Sequence, residues 1–296
     1  TDTQVEWLTG HINEFEEALY GESFADPRDG YAKYIDVASW IDTWLMVEMT
    51  KNIDGFRLST YYHKDLGGKI KQGPAWDYNL SLVNGNYLKG SYPEGWYGSL
   101  ISQEQYPYWD RLFEDPNFSQ AVADRWQELR SDLFTTENLL GDIDSAVNLI
   151  SDGNPNLANP ADGEPSNPIS RNYARWSSRS YGLDQYHWPN CFFGSGDCPR
   201  SPLPTDMARG GRPDSYDDYI YLIKWFVENR VEWMDSQFVP PVEITPGSGV
   251  VEVGTQVAMA APDRFEIAYT LDGTDPRQPV LVEEENVVFD TGSAIQ

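Results

Sequence analysis

Basic residues are scarce in this sequence. Lysine and arginine together number 21 against 47 aspartates and glutamates, which gives a formal net charge of −26 over 296 residues. Such a surface repels phosphate backbones, so we expect no nucleic-acid partner. It also repels ATP, so a nucleotide pocket would need a metal ion or local basic residues. A solvated acidic coat, as on extracellular or salt-adapted proteins, explains this charge better than a specific cation-binding surface does.

Cysteine and long apolar runs are also nearly absent. Cys191 and Cys198 are the only two thiols, too few for a structural zinc site. We expect a short local disulfide between them, which indicates an oxidising compartment and therefore a secreted, cell-surface or periplasmic protein. No run of about 20 apolar residues occurs, so we expect no membrane span.

The residues that are present are sufficient for a folded core, since 40% are hydrophobic and 14% aromatic. Apolar residues at helical spacing predict a mainly helical chain. The first helix is expected to begin with a capping box of Thr3 and Glu6, and the second to begin at Asp36 and to place Glu48 beside the following loop as a hydrogen-bond partner. Further helices are expected after Asp115-Pro116, after Thr135 or Thr136, over Asn172 to Tyr181, and from Tyr216 to Phe238.

One stretch, residues 51–87, organises the rest. A β-branched and aromatic run from Phe56 to Tyr62, a turn at residues 65–68 and a second short run predict a β-hairpin. A hairpin brings its ends together, so Asp54 before it and Asp77 after it can form one acidic site. The alternative is that Asp54-Gly55 is an ordinary turn and that Asp77 caps the backbone after a buried Trp76.

After Pro240-Pro241 the apolar residues tend to alternate, which is typical of antiparallel strands. We therefore expect two packing units, residues 1–238 and 242–296. The second unit resembles the C-terminal β-sandwich module of chitobiases, an immunoglobulin-like domain, in the run from Tyr269 to Arg277 (YTLDGTDPR). The chain stops at Gln296, about where such a module would still need its last strands.

The first unit resembles the CotH spore-coat kinase family, from about Tyr34 to about Phe238. The motifs that carry the resemblance are Asn52-x-Asp54, Ser59-x-Tyr61, the strand with Lys69, Gly73-Pro74-x-Trp76-Asp77-Tyr78-Asn79 and Gly85-Asn86, with Asn172-x-x-Arg175-Trp176 and Asn229-Arg230-x-x-Trp233-x-Asp235 as less specific ones.

The resemblance implies an α+β fold: a mainly helical, atypical kinase-like C-terminal lobe with a small β-hairpin. It also implies a secreted or coat-associated protein kinase that phosphorylates serine residues of proteins with ATP and Mg²⁺ or Mn²⁺. By resemblance, Asp54 is the catalytic aspartate and Asp77 binds the metal. Ser59 and Asn79 replace an asparagine and an acidic residue in the expected ligand set, which should weaken metal binding.

The resemblance leaves a gap at the N-terminus. Nothing before Tyr34 matches the Arg-Gly-Asn segment or the phosphate-positioning lysine of the family's N-terminal lobe, so that lobe either precedes Thr1 or is absent. Two alternatives to an active kinase remain open. One is a pseudokinase-like scaffold without turnover, and the other is a carbohydrate- or surface-binding protein that stacks sugars on loop aromatics (Tyr87, Tyr92, Trp96 and Tyr97).

Overall fold

The computed structural model describes residues 1–85, 88–151, 168–169, 171, 216–240, 242–247, 249–261, 267 and 269–271. The chain divides into two compact units, Thr1–Gln237 and Phe238–Gln296. The described part of the first unit is mainly helical, as the sequence predicts. None of the described helices is both long enough and apolar enough to cross a bilayer.

Two helices open the first unit. Helix α1 spans Asp2–Tyr20, and its capping box is formed by Thr1 and Gln4, so the expectation of Thr3 and Glu6 is wrong by two positions. Helix α2 spans Val37–Thr50 and is capped by the side chain of Asp36, as predicted. Most of its residues are apolar, so the helix is largely buried, and its C-terminal turn carries Glu48 into the interior.

The hairpin is shorter than the sequence predicts. Strands β1 (Tyr62–His63) and β2 (Lys71–Gln72) are antiparallel and two residues long each. Residues 56–61 were expected to be strand and are not, because Phe56 has φ of 66° and turns its ring into the core. The hairpin is fixed to the start of α2: Ile70 bridges to Ile35, and the Ile70 carbonyl accepts the indole N–H of Trp40 at 3.2 Å.

The remaining helices of the first unit enclose an aromatic core. Helix α3 spans Trp109–Phe113, α4 spans Pro116–Ser131, α5 spans Thr136–Ile150 and α6 spans Tyr216–Gln237. Asp115 and Thr135 cap α4 and α5 with their side chains, as predicted. Helices α4 and α6 are tied together by Asp235, which accepts hydrogen bonds from Trp126 and Arg130. The core rings at the centre lie 4.9 to 6.0 Å apart (Phe15, Trp40, Phe56, Tyr106 and Trp109).

The second unit contains one described strand pair. Strands β3 (Glu243–Thr245) and β4 (Ala258–Ala260) are antiparallel, with Glu243 opposite Ala260. The expected chitobiase-like module is not shown by these strands. Much of the run that carries that resemblance lies outside the described residues, as do Cys191, Cys198 and the helix expected over residues 172–181.

Core packing on α2 gives a direct prediction. Leu45 is fully buried, whereas the next residue, Met46, is 36% exposed. We expect Leu45→Ala to lower the free energy of unfolding by about 2–5 kcal/mol, because it leaves a cavity, and Met46→Ala to change it by no more than about 0.5 kcal/mol. Urea unfolding followed by tryptophan fluorescence measures this, since all 11 tryptophans lie in the first unit. Equal effects of the two substitutions would contradict the packing described.

Candidate functional site

The segment around Asp54 and the segment around Asp77 meet. Backbone hydrogen bonds join them: the Leu82 N–H donates to the Thr50 carbonyl at 2.8 Å, and the Ile53 N–H donates to the Leu80 carbonyl at 3.4 Å. The side-chain amide of Asn52 reaches the backbone carbonyl of Asp77 at 3.5 Å. The hairpin therefore returns the chain to the loop that follows α2, and both motif aspartates stand on adjoining segments.

Two glycines permit close packing here: Gly85 against Ile53 of the Asp54 loop, and Gly55 against Val47 of α2. A Cβ at Gly85 would lie 2.4 Å from Cδ1 of Ile53, and one at Gly55 would lie 2.6 Å from Cγ1 of Val47. Real Cβ contacts are essentially never this short, so an alanine at either position would force the neighbouring Ile53 or Val47 side chain to shift. This explains in physical terms why glycines follow both Asp54 and Asn84 in the motif.

Asp54 lies half-buried beside a cation. Its side chain is 17% exposed, and its Oδ1 atom accepts a hydrogen bond from the Arg57 guanidinium at 3.1 Å. The Arg57 Nε–H also donates to the Ile53 carbonyl at 3.0 Å, which fixes the guanidinium against the loop. Arg57 was missed in the sequence, because a spacing of three residues signals an ion pair on a helix and this segment was expected to be loop and strand. It supplies a local basic residue within an acidic chain.

Asp77 is exposed and begins a short 3-10 turn, Tyr78–Leu80. It does not cap that turn with its side chain, so the alternative that Asp77 is only a backbone cap is not supported. Asn79 is also exposed, and its backbone carbonyl accepts the Asn84 amide. Ser59 is half-buried, and its N–H donates to the Asp54 carbonyl at 2.9 Å. Ser59 is therefore held on the Asp54 segment and Asn79 on the Asp77 segment.

Unfavourable backbone conformations concentrate in this region. Left-handed φ angles cost a non-glycine residue about 1–2 kcal/mol, and such residues cluster at functional sites. Asp77 itself has φ of 60°. Of the eight described non-glycine residues with positive φ, seven lie between residues 51 and 89 (Lys51, Phe56, Asp77, Leu82, Val83, Leu88 and Lys89).

A buried ionic cluster lies below the Asp54 loop. Glu48 and Arg230 are both fully buried and form an ion pair at 3.1 Å, although they are 182 positions apart. Lys51 is fully buried as well, and its ammonium group donates to the carbonyls of Glu94 at 2.6 Å and Lys89 at 3.3 Å. The sequence suggested a local hydrogen-bond role for Glu48; the structure makes it a contact between α2, α6 and the loop at residues 89–98.

Burial dominates the electrostatics of this cluster. It raises the pKa of Glu48, although Arg230 and the backbone N–H groups of Tyr97 and Gly98 oppose the shift. It lowers the pKa of Arg230 to about 10. For Lys51, burial first and then Arg230 lower the pKa from 10.5 to about 7, with Lys89 adding to the shift and Glu48 and Glu94 opposing it.

Two of the four loop aromatics considered for sugar stacking, Trp96 and Tyr97, are packed against other rings. Tyr97 is fully buried and its ring stacks on Phe56 at 5.9 Å. Trp96 is half-buried between Trp44, at 5.0 Å, and Trp233, at 4.8 Å. Tyr87 lies outside the described residues. The aromatics of this loop that the structure describes are mainly packing residues, as expected of a loop that covers the site.

The site offers oxygen donors of the kind that Mg²⁺ and Mn²⁺ prefer. Within the described residues no group of three or more His, Cys, Asp or Glu side chains is arranged to hold an ion. A nucleotide-bound ion does not need one, because Mg²⁺ is usually held by one or two carboxylates together with phosphate oxygens and waters. The exposed carboxylate of Asp77 fits that requirement.

Lys51 predicts a pH dependence of stability. Its folded pKa is about 7, against an ordinary value of 10.5. Between these pH values the unfolded chain binds more protons than the folded chain, so the contribution of Lys51 makes stability rise with pH from about 7 to about 10. We expect Lys51→Met to flatten this rise and Lys71→Met, on the exposed position of β2, to preserve it. Urea unfolding at a series of pH values measures the slope; an unchanged slope in Lys51→Met would refute the shift.

Comparison with known proteins supplies the family. The model of the family described as CotH kinase protein matches residues 1–186. No curated protein and no solved structure matches. The matched range begins at Thr1, earlier than the motifs suggested, and ends before the Asn229-Arg230 step of α6. Because the match covers more than half of the 296 residues, the chain belongs to the CotH kinase family.

Proposed function

We propose that this protein transfers the terminal phosphoryl group of ATP to serine residues of other proteins, with Mg²⁺ or Mn²⁺ bound. The observation that carries the proposal is the meeting of the Asp54 and Asp77 segments through backbone hydrogen bonds. The family supports kinase chemistry. Serine specificity, a secreted or cell-surface location and the choice of metal are part of the proposal.

Phosphoryl transfer asks mainly for positioning and charge stabilisation. Asp54 would orient the serine hydroxyl and accept its proton as the oxygen bonds to phosphorus and the bond to the departing ADP breaks. Asp77, with Asn79 and Ser59 as neutral donors, would hold the divalent ion. When bound, that ion neutralises charge on the phosphate oxygens.

Arg57 has two consequences for this reaction. Its guanidinium pairs with the Asp54 carboxylate and holds that side chain against the loop. Its positive charge also stands where an acidic protein must attract an anionic nucleotide, since the formal net charge is −26. The Asp54–Arg57 pair is therefore neutral as a unit, in contrast to the acidic composition of the chain.

Asp77 can be tested without disturbing its backbone. Asparagine tolerates left-handed φ well, so Asp77→Asn removes the charge and keeps the turn. We expect it to weaken metal-dependent ATP binding by at least roughly tenfold, because the ion loses its charged ligand. Isothermal titration of the full-length protein with ATP and Mg²⁺ or Mn²⁺ measures this. Asp65→Asn, in the exposed hairpin turn, is the matched control. Equal binding by both variants would remove Asp77 from the site.

Asp54 should affect a different step. Asp54→Asn should retain metal-dependent ATP binding and lose roughly 10²- to 10⁴-fold in phosphoryl transfer, the range attributed to a positioned general base. Transfer of radiolabelled phosphate to a dephosphorylated serine-rich protein measures turnover. Full turnover in Asp54→Asn would exclude the assigned role. Wild-type chain that binds ATP without turnover would instead favour the pseudokinase-like scaffold, and absence of binding would overturn the nucleotide site.

A further inference from the structure

The buried pair of Glu48 and Arg230 leads to the candidate site through a loop. Both oxygens of the Glu48 carboxylate accept backbone N–H groups, from Tyr97 at 2.7 Å and from Gly98 at 2.8 Å. Arg230 donates to the same loop, to the carbonyls of Pro93 at 2.6 Å and Gly95 at 2.9 Å. The segment at residues 93–98 is therefore fixed by a carboxylate from α2 and a guanidinium from α6.

Arg230 also closes the end of α2. Its Nε and Nη2 atoms donate to the Glu48 backbone carbonyl at 3.0 and 2.7 Å. The last carbonyls of a helix lack partners within it, and a cation at that end is favourable. Arg230 thus holds the point at which the chain leaves α2 for Asn52 and Asp54. Its ring neighbours Trp96 and Trp233 lie 5.6 and 4.7 Å from the guanidinium and limit its movement.

Tyr97 carries the connection to the reacting group. Its hydroxyl donates to the Ile53 carbonyl at 2.5 Å. The same carbonyl accepts the Nε–H of Arg57, whose Nη2 pairs with Asp54. One carbonyl oxygen therefore lies between Tyr97 and the Asp54–Arg57 pair. The contacts run without interruption from α6, through Glu48 and Tyr97, to Asp54.

Apolar packing alone could hold such a loop at lower desolvation cost, because buried ion pairs often do not stabilise a fold more than apolar residues of the same size. A directional network differs from apolar packing in fixing orientation. Five described hydrogen bonds end on the two oxygens of one carboxylate or on the carbonyl beside Asp54 (Tyr97, Gly98 and Arg230 to Glu48, Tyr97 and Arg57 to Ile53).

We propose that Arg230, Glu48 and Tyr97 are positioning residues that set the orientation of the Asp54–Arg57 pair from helix α6. Their significance for turnover rests on the proposed function. Arg230 lies beyond the range matched by the family model, residues 1–186, and neither the match nor the motif assigns it this role.

The sharpest test compares two tyrosines. Tyr97 and Tyr106 are both buried and both contact the Phe56 ring, at 5.9 and 4.9 Å. The Tyr97 hydroxyl bonds to Ile53, whereas the Tyr106 hydroxyl accepts the Trp44 indole N–H at 2.6 Å. Tyr97→Phe and Tyr106→Phe each remove one buried hydroxyl and keep the ring. Only the first removes a contact to the Asp54 loop.

We expect Tyr97→Phe to lower kcat for phosphoryl transfer by roughly 3- to 10-fold, the effect of one buried hydrogen bond, with KM for ATP unchanged. We expect Tyr106→Phe to leave both constants unchanged. Amide hydrogen exchange should quicken in Tyr97→Phe at Gly55, Leu58 and Ser59, whose N–H groups close the loop on Asn52 and Asp54. Thermal unfolding midpoints of the two variants should agree, which separates positioning from general stability.

Arg230→Lys provides the second arm. Lysine keeps the positive charge that Glu48 needs but cannot make the forked contacts of a guanidinium. We expect a lower kcat, unchanged ATP affinity, and faster exchange at the same three amides. Equal exchange and equal kcat in Tyr97→Phe and Tyr106→Phe would overturn the proposal. If the wild-type chain binds no ATP, the proposed function fails, and the exchange comparison alone then decides whether the network holds the loop.

Discussion

A buried carboxylate is stable only when opposite charges and hydrogen bonds replace its hydration. Glu48 is the buried carboxylate on which this fold depends. Its partners come from two other parts of the chain: Arg230 on α6, and the backbone of Tyr97 and Gly98 in the loop. Removing one partner of such a pair typically costs 3–5 kcal/mol, because the other charge stays buried. Helix α2, the loop and α6 are therefore required to assemble together.

The candidate site combines an unfavourable backbone conformation with many contacts that hold it in place. Several residues of the stretch from Lys51 to Lys89 hold left-handed backbone conformations that are unfavourable for side chains. They persist because the surroundings fix them: Lys51 by two carbonyls, Phe56 by three buried rings, and Asp77 by the neighbouring Asn52. A stretch bonded in this way keeps its polar groups in place before any ligand arrives, which is what transition-state stabilisation requires.

Features with local causes could be predicted from the sequence. Asp36, Asp115 and Thr135 cap helices because a short polar side chain satisfies N–H groups two or three residues later. The strand expected from Phe56 was wrong because β-branched and aromatic content does not reveal a left-handed turn into the core. The meeting of the Asp54 and Asp77 segments follows from a hairpin of any strand length.

The ion pair between Glu48 and Arg230 could not be predicted from the sequence around either residue. The two residues are 182 positions apart, and an Asn-Arg step on an aromatic helix is compatible with an exposed arginine. Only the folded arrangement of α2 and α6 brings them together. The same is true of Tyr97, which resembles a surface aromatic in a loop rich in glycine and tyrosine, and which is fully buried.

Arg230 lies inside the first compact unit but outside the range matched by the family model. The family match stops at residue 186, whereas the first compact unit continues to Gln237. A fragment cut at the limit of homology would retain both motif aspartates and lose the guanidinium that neutralises Glu48. Its interior would then hold the buried Glu48 carboxylate without its guanidinium partner, next to the loop at residues 93–98. The range matched by the family model is therefore shorter than the range that the chain needs to neutralise Glu48.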